Sequence, residues 1–298
     1  MMVASVLQAW LQAAPILAAE FTMDSARVAA DKGDARAQYF LGKHYSKGDG
    51  VPRDDARAAG YLRQSAEQGY AFAQNDLGAL YAQGLGVAQD YPEAARWFRK
   101  AALQGDSLAQ YSLGLAYEQG RGVPKDLPEA LKWYLHAADK NQLDALLALG
   151  EIHMVGGNGI KIDFPASRRW FKKAAAQGSV SALNSLAFLY GAGAPGLDQN
   201  IRRAQDYYRQ AAEKNDATGQ YNLGRFCLEI SGAKHDPVEA YKWFYLAFGN
   251  GEGLANRYLH ELDGSLKSPF PVLTAEQINE AIRQARAFQK SFKNKSAK

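Results

Sequence analysis

Leu-Gly pairs stand at residues 41–42, 77–78, 113–114, 149–150 and 223–224 of this 298-residue chain, and Leu186 with Ala187 fills the gap in the series. Three residues after each pair comes Tyr45, Tyr81, Tyr117, His153, Tyr190 or Cys227. A second series, Gly33, Gly69, Gly105, Asn141, Gly178, Asn215 and Gly251, advances in steps of 36, 36, 36, 37, 37 and 36 residues. So regular a period belongs to a stacked supersecondary unit, because one unit of this size cannot bury its own apolar face. Only Gly and Asn occupy the second series. Both tolerate the left-handed backbone that closes an α-helix, so each of these positions marks a helix C-terminus.

Within one period the spacing predicts two helices. Ala73, Leu77, Gly78 and Tyr81 share a helical stripe, on which the small residues admit a close neighbour. The loop Gly84 to Asp90 interrupts it. Tyr91, Ala94, Ala95, Trp97, Phe98, Ala101 and Ala102 then form a second apolar face, entered through Asp90 as N-cap and Pro92 in the first turn. The loop has a second reading. GRGVPKD (120–126) resembles the start of a phosphate-cradling loop. GDGVPRD (48–54) and GLGVAQD (84–90) repeat it at the same period, which makes it a structural turn of the hairpin.

The combined pattern, A-x-A-x-x-x-L-G-x-x-Y-x-x-G-x-G-V-x-x-D followed by A-x-x-W-[YF]-x-x-A-A-x-x-G, resembles the Sel-1-like repeat (SLR) family over about residues 20 to 292. The loops of the later repeats depart from it, as GGNGIKID, GAGAPGLDQN and EISGAKHD. The resemblance implies an all-α fold: a right-handed α/α superhelical solenoid of about six helical hairpins, related to tetratricopeptide repeats, with capping helices at both ends. It further implies an adaptor between partners, often in bacterial envelopes, with no shared catalytic chemistry and no cofactor.

Four segments are expected: 1–19, a signal peptide or capping helix; 20–251, the repeats; 252–292, a partial seventh repeat and a capping helix; and 293–298, a basic tail. LAAE resembles a signal-peptidase site after Ala19, which points to a periplasmic or secreted protein. Against this, the segment starts without Lys or Arg, and Val3, Val6, Leu7, Trp10 and Leu11 line one helical face, which suits a capping helix and a cytoplasmic protein. The apolar run is too short for a membrane span. At the other end Thr274 and Gln277 have capping-box spacing, and Ile278, Ile282, Ala285 and Phe288 form an apolar stripe for closing the core.

Charge and chemistry narrow the function. The net charge is +4, but Arg283, Arg286, Lys290, Lys293, Lys295 and Lys298 supply an unopposed basic end, so the repeats themselves are slightly acidic and no nucleic-acid partner is expected. With 47% hydrophobic residues the chain can bury a large core, and one elongated, monomeric domain is expected. The single Cys227 excludes a disulfide framework and falls in a packed slot. His44, His136, His153, His235 and His260 lack metal-ligand spacing. Ser231 and Lys234 spell S-x-x-K without its companion motifs, a weak pointer to a β-lactamase-like hydrolase.

The leading expectation is a scaffold that holds a protein or peptide; an envelope factor binding peptidoglycan or polysaccharide is the alternative. In a tetratricopeptide-like hairpin the resemblance directs side chains three before, one after and four after the Leu-Gly glycine into a groove. That selects Tyr39, Lys43, Asn75, Tyr111, Leu115, Glu118, Leu147, Glu151, Met154, Asn184, Phe188, Tyr221, Arg225 and Leu228. Their mixture of aromatic, aliphatic and charged groups suits a mixed-charge peptide with hydrophobic anchors. The competing reading is that neighbouring repeats bury them.

Overall fold

A computed structural model describes residues 21–229 and 236–296. The expected leader or capping helix at 1–19, the S-x-x-K stretch, His235 and the last two residues of the basic tail lie outside the described residues. Fifteen helices are present among the described residues: α1 (Met23–Asp31), α2 (Ala35–Lys47), α3 (Asp55–Glu67), α4 (Ala71–Gln83), α5 (Tyr91–Leu103), α6 (Ser107–Gln119), α7 (Leu127–Asp139), α8 (Leu143–Val155), α9 (Phe164–Ala176), α10 (Val180–Ala192), α11 (Ile201–Glu213), α12 (Ala217–Glu229), α13 (Pro237–Gly249), α14 (Ala255–Leu262) and α15 (Ala275–Ser296). No strand forms among them; the inserted loop of the fourth repeat makes one isolated bridge, Gly157 to Ile160.

Caps fix the helix boundaries. Asp54, Asp90, Asp126, Asp163, Asn200 and Asp236 each accept a hydrogen bond from the backbone N–H three residues on, opening α3, α5, α7, α9, α11 and α13. Asp34, Asp106 and Ser179 do the same for α2, α6 and α10. At the other ends, the seven positions from Gly33 to Gly251 singled out by period all hold positive φ, from 59° at Asn141 to 99° at Gly251.

Three devices lock the helices together, the first within a hairpin and the others between one hairpin and the next. A Cβ on the Leu-Gly glycine would lie 2.8 Å from Phe98 at Gly78, 2.7 Å from Tyr134 at Gly114 and 2.5 Å from Phe171 at Gly150, so the missing side chain lets a bulky residue of the second helix lie on the first. Tyr134, Phe171 and Phe244 are thereby buried, whereas Tyr208, at the same place in the repeat that carries Ala187, is only half-buried. The second glycine of the loop makes the next device. A Cβ on Gly122 would fall 2.0 Å from the Tyr91 carbonyl oxygen, and one on Gly86 1.9 Å from that of Asp55. The loop therefore rests on the backbone that opens the preceding second helix. Third, buried glutamines clamp helix ends: Gln38, Gln74, Gln110 and Gln220 donate through Nε2 to the carbonyls of Ala30, Ala66, Ala102 and Ala212. Gln68 and Gln104 donate in turn to Gln38 and Gln74, both at 2.7 Å.

The chain divides into two compact units, Met1–Ala145 and Leu146–Lys298, with the division inside α8. In the first, successive cores centre on Leu41 and Tyr45, on Leu62, Leu77 and Trp97, and on Phe98 and Leu113. In the second, Phe244, Trp243, Leu246, Leu262 and Cys227 share a core with Ala281 and Ala285 of α15, and Ile278, Ile282 and Phe288 pack against it. The expected C-terminal cap is present, opened by Thr274 and Gln277, whose side chains each accept from the other's backbone N–H.

Candidate interaction surface

Each first helix presents the three register positions differently. Three before the glycine, side chains mostly serve packing. Tyr39 lies 5.2 Å from Tyr70 and 6.2 Å from Phe72, Tyr111 5.6 Å from Tyr134, and Tyr221 5.9 Å from both Phe244 and Tyr258, all ring to ring. Burial, then the charge of Asp76, pushes the Tyr39 phenol above its ordinary value. Asn75 is 6% exposed and faces no open groove; its Nδ2 reaches Asp76 while its Oδ1 has no partner. Leu147 and Asn184 are half-buried.

Four after the glycine, Glu118 accepts a hydrogen bond from the Tyr134 hydroxyl at 2.5 Å, and Met154 is half-buried. Leu228 is 2% exposed and belongs to the core of the second unit. Helical spacing placed Asn75 and Leu228 on the groove; packing against adjacent helices removes both from it.

One after the glycine the surface is open. Phe188 is 54% exposed, Glu151 and Arg225 are exposed, and Leu115 and Lys43 are half-buried. Lys43 pairs with Asp76 at 2.7 Å, and Arg225 stands 5.8 Å over the Tyr221 ring. This position borders a cleft in each unit. In the first, a cleft of about 270 Å³ lies between α4, α5 and α6, lined by Ala79, Ala82, Tyr91, Ala94, Ala95, Phe98, Leu115, Ala116 and Arg121 among others. In the second, Phe188, Gly191, Ala192, Tyr208, Asn222, Arg225 and Phe226 line one of about 300 Å³ between α10, α11 and α12. The two clefts occupy the same place in the repeat. Ala79 and Phe188 follow their pair directly, and Phe98 and Tyr208 each stand eight residues after the cap of their second helix.

The sequence profile of the Sel1 repeat matches residues 35–70, 71–106, 107–142, 143–179, 180–216 and 217–251. The chain belongs to the Sel1 repeat family. Proteins built from Sel1 repeats are generally non-catalytic interaction scaffolds. Among solved structures it is similar to a protective antigen present in uropathogenic Escherichia coli strains displaying an SLR fold, with 31% identity over 90% of this chain and a TM-score of 0.77. This chain spans 56% of that protein's length. It is also similar to a Sel1 repeat protein from Oxalobacter formigenes, with 29% identity, 83% of this chain and 96% of that one covered, and a TM-score of 0.68. No curated protein matches the sequence. The expected all-α repeat solenoid is thus the fold of the family.

In the second and third Sel1 repeats the tyrosine slot is tied by a basic residue of the preceding hairpin: Arg63 donates to the Tyr81 hydroxyl at 2.8 Å, and Arg99 to that of Tyr117. Cys227 takes this slot in the sixth repeat, 3% exposed, and burial pushes its thiol up to about 12. His153 takes it in the fourth. Burial lowers its pKa, and its Nδ1 is buried without a hydrogen-bond partner. Among the described residues no three His, Cys, Asp or Glu side chains group as a metal site, and no helix is long and apolar enough to cross a membrane.

Among the cleft residues missing from the set read off the sequence are Ala79, Ala82, Tyr91, Phe98 and Arg121. Small residues at a recurring register were the available signal for the first two. The others sit on the second helix or in the loop, and only the packing of hairpins brings them to the first-helix face.

Proposed function

We propose that this Sel1 repeat protein is a non-catalytic scaffold that binds a partner protein or peptide through its first-helix face. The observation that carries the reading is the recurrence of an open apolar cleft at the same register place in each unit, bordered by Leu115 in one and by the exposed Phe188 in the other. Evolved cores close such space at small cost, and an exposed aromatic beside a cleft is the pattern of an interaction anchor. The remaining titratable groups support this. The lone thiol is buried, the histidines are dispersed over separate repeats, Lys43 pairs with Asp76, and Glu118 accepts from the Tyr134 hydroxyl.

The test is chemical cross-linking of the full chain to its cellular partner, followed by capture with Leu115→Ser and Phe188→Ser. At least one variant is expected to weaken capture tenfold or more, about 1.4 kcal/mol, while thermal unfolding stays within a few degrees of wild type. Undiminished capture by both variants, or a large fall in melting temperature in both, overturns the assignment of this face.

A further inference from the structure

The cleft of the first unit carries a charge that its own surroundings leave unanswered. Its floor and wall are apolar: Ala94, Ala95 and Phe98 from α5, Leu115 and Ala116 from α6. At its mouth stands Arg121, the middle residue of the G-R-G loop. The loop is held there from both sides. Gly120 and Gly122 have φ of 70° and 75°, and Gly122 lies against the Tyr91 carbonyl so closely that no side chain fits. The Arg121 guanidinium consequently rests 5.5 Å from the centroid of the Tyr91 ring.

Three basic side chains on the second helices or their loops in this unit meet carboxylates, Arg53 with Asp55 at 2.9 Å, Arg96 with Glu93 at 2.5 Å and Lys132 with Glu129 at 2.7 Å, and Arg63 and Arg99 meet the hydroxyls of Tyr81 and Tyr117. Arg121 has no carboxylate partner among the described residues. A guanidinium fixed on an aromatic face keeps its donor edge free for a planar, bidentate acceptor. The cleft volume, about 270 Å³, falls just below the range of about 300–1,000 Å³ typical of small-molecule sites. It suits a single side chain.

We infer that this cleft binds a partner peptide by taking one large aliphatic side chain, with Arg121 pairing the carboxylate of the adjacent aspartate or glutamate. This rests on the interaction-scaffold reading and names the chemistry of its ligand. The side-chain amides of Gln83 and Gln119 border the same cleft and supply hydrogen bonds for the peptide backbone.

The experiment is a methyl NMR titration of the full chain, labelled at Leu and Ala, with three capped peptides: Ser-Gly-Leu-Asp-Gly-Ser, its Leu-Asn counterpart and its Ala-Asp counterpart. The Leu-Asp peptide is expected to shift the Leu115 and Ala116 methyls and to bind at least threefold more tightly than either counterpart. In Arg121→Gln the advantage over Leu-Asn should vanish while the Leu-Asn affinity is kept; Ala82→Met, which fills the cleft, should abolish binding of both with the fold intact. Shifts confined to other residues, or a Leu-Asp preference that survives Arg121→Gln, overturn this site and leave the scaffold reading standing. If none of the peptides shifts any methyl at millimolar concentration, this site is overturned too. Whether the scaffold reading then falls with it is decided by the cross-linked partner and its dependence on Leu115 and Phe188.

Discussion

Gly69 and Gly122 both hold positive φ, 92° and 75°, but for different reasons. Around Gly69 a Cβ would meet nothing within 4 Å, and asparagine occupies the equivalent place at Asn141 and Asn215. Its requirement is conformational alone. At Gly122 a Cβ would collide with the Tyr91 backbone at 2.0 Å, so the requirement is also spatial. Gly69→Asn is therefore expected to change stability by less than about 0.5 kcal/mol, whereas Gly122→Asn should cost more than about 1 kcal/mol through forced backbone displacement. Urea midpoints distinguish them. Equal, small effects at both positions would remove the argument that the loop glycine exists for inter-repeat contact.

At the scale of the element, the glutamine clamp adds a second hydrogen bond to helix-end carbonyls that the closing turn already engages, as the Gly69 N–H engages Ala66 at 3.0 Å. Gln74 is 4% exposed and answers the Ala66 carbonyl at 3.0 Å, while its own oxygen accepts from Gln104. Leu146 and Leu183, in the fourth and fifth repeats, hold the same register and are buried there as ordinary apolar contacts. Gln74→Leu should lower stability by about 0.5–1.5 kcal/mol, the net worth of one hydrogen bond, since the Ala66 carbonyl keeps the Gly69 N–H at 3.0 Å and the exposed Gln104 amide turns to water. Gln104→Ala should cost less, because Gln104 is exposed and water replaces it. If Gln74→Leu proves neutral, the clamp is decoration and leucine serves equally well.

At the scale of the whole molecule, an element at the end of a stacked unit needs a cover for its apolar face. In the second unit α15 is that cover, burying Ala281 and Ala285 against the core that contains Trp243, Phe244 and Cys227. Removal of residues after 272 is expected to lower the melting temperature by several degrees and to shift tryptophan emission to the red as Trp243 meets water. The thiol gives an independent readout. Burial pushes Cys227 up to about 12, so in the intact protein it should resist iodoacetamide at pH 8 on the timescale of global unfolding. The truncated chain should label markedly faster. Equal labelling rates and unchanged emission would mean that α15 contributes no protection.

The amino-acid sequence determined the period, the two helices of each hairpin, the cap at Asp90, the left-handed closures at Gly33 through Gly251 and the final helix at Thr274. These depend on interactions within a few residues, where backbone sterics and side-chain caps act alone. The turn reading of G-x-G and the packed slot of Cys227 were legible for the same reason. Tertiary structure decided which register positions stay open. Helical spacing gave Tyr111, Leu115 and Glu118 one face, yet Tyr111 meets Tyr134, Glu118 is bonded to it, and Leu115 borders open space. A hundred degrees per residue fixes a direction from the helix axis. What stands in that direction belongs to residues on another helix, such as Tyr134 sixteen positions after Glu118, and only the docking of helix on helix determines which positions are closed and which are left open.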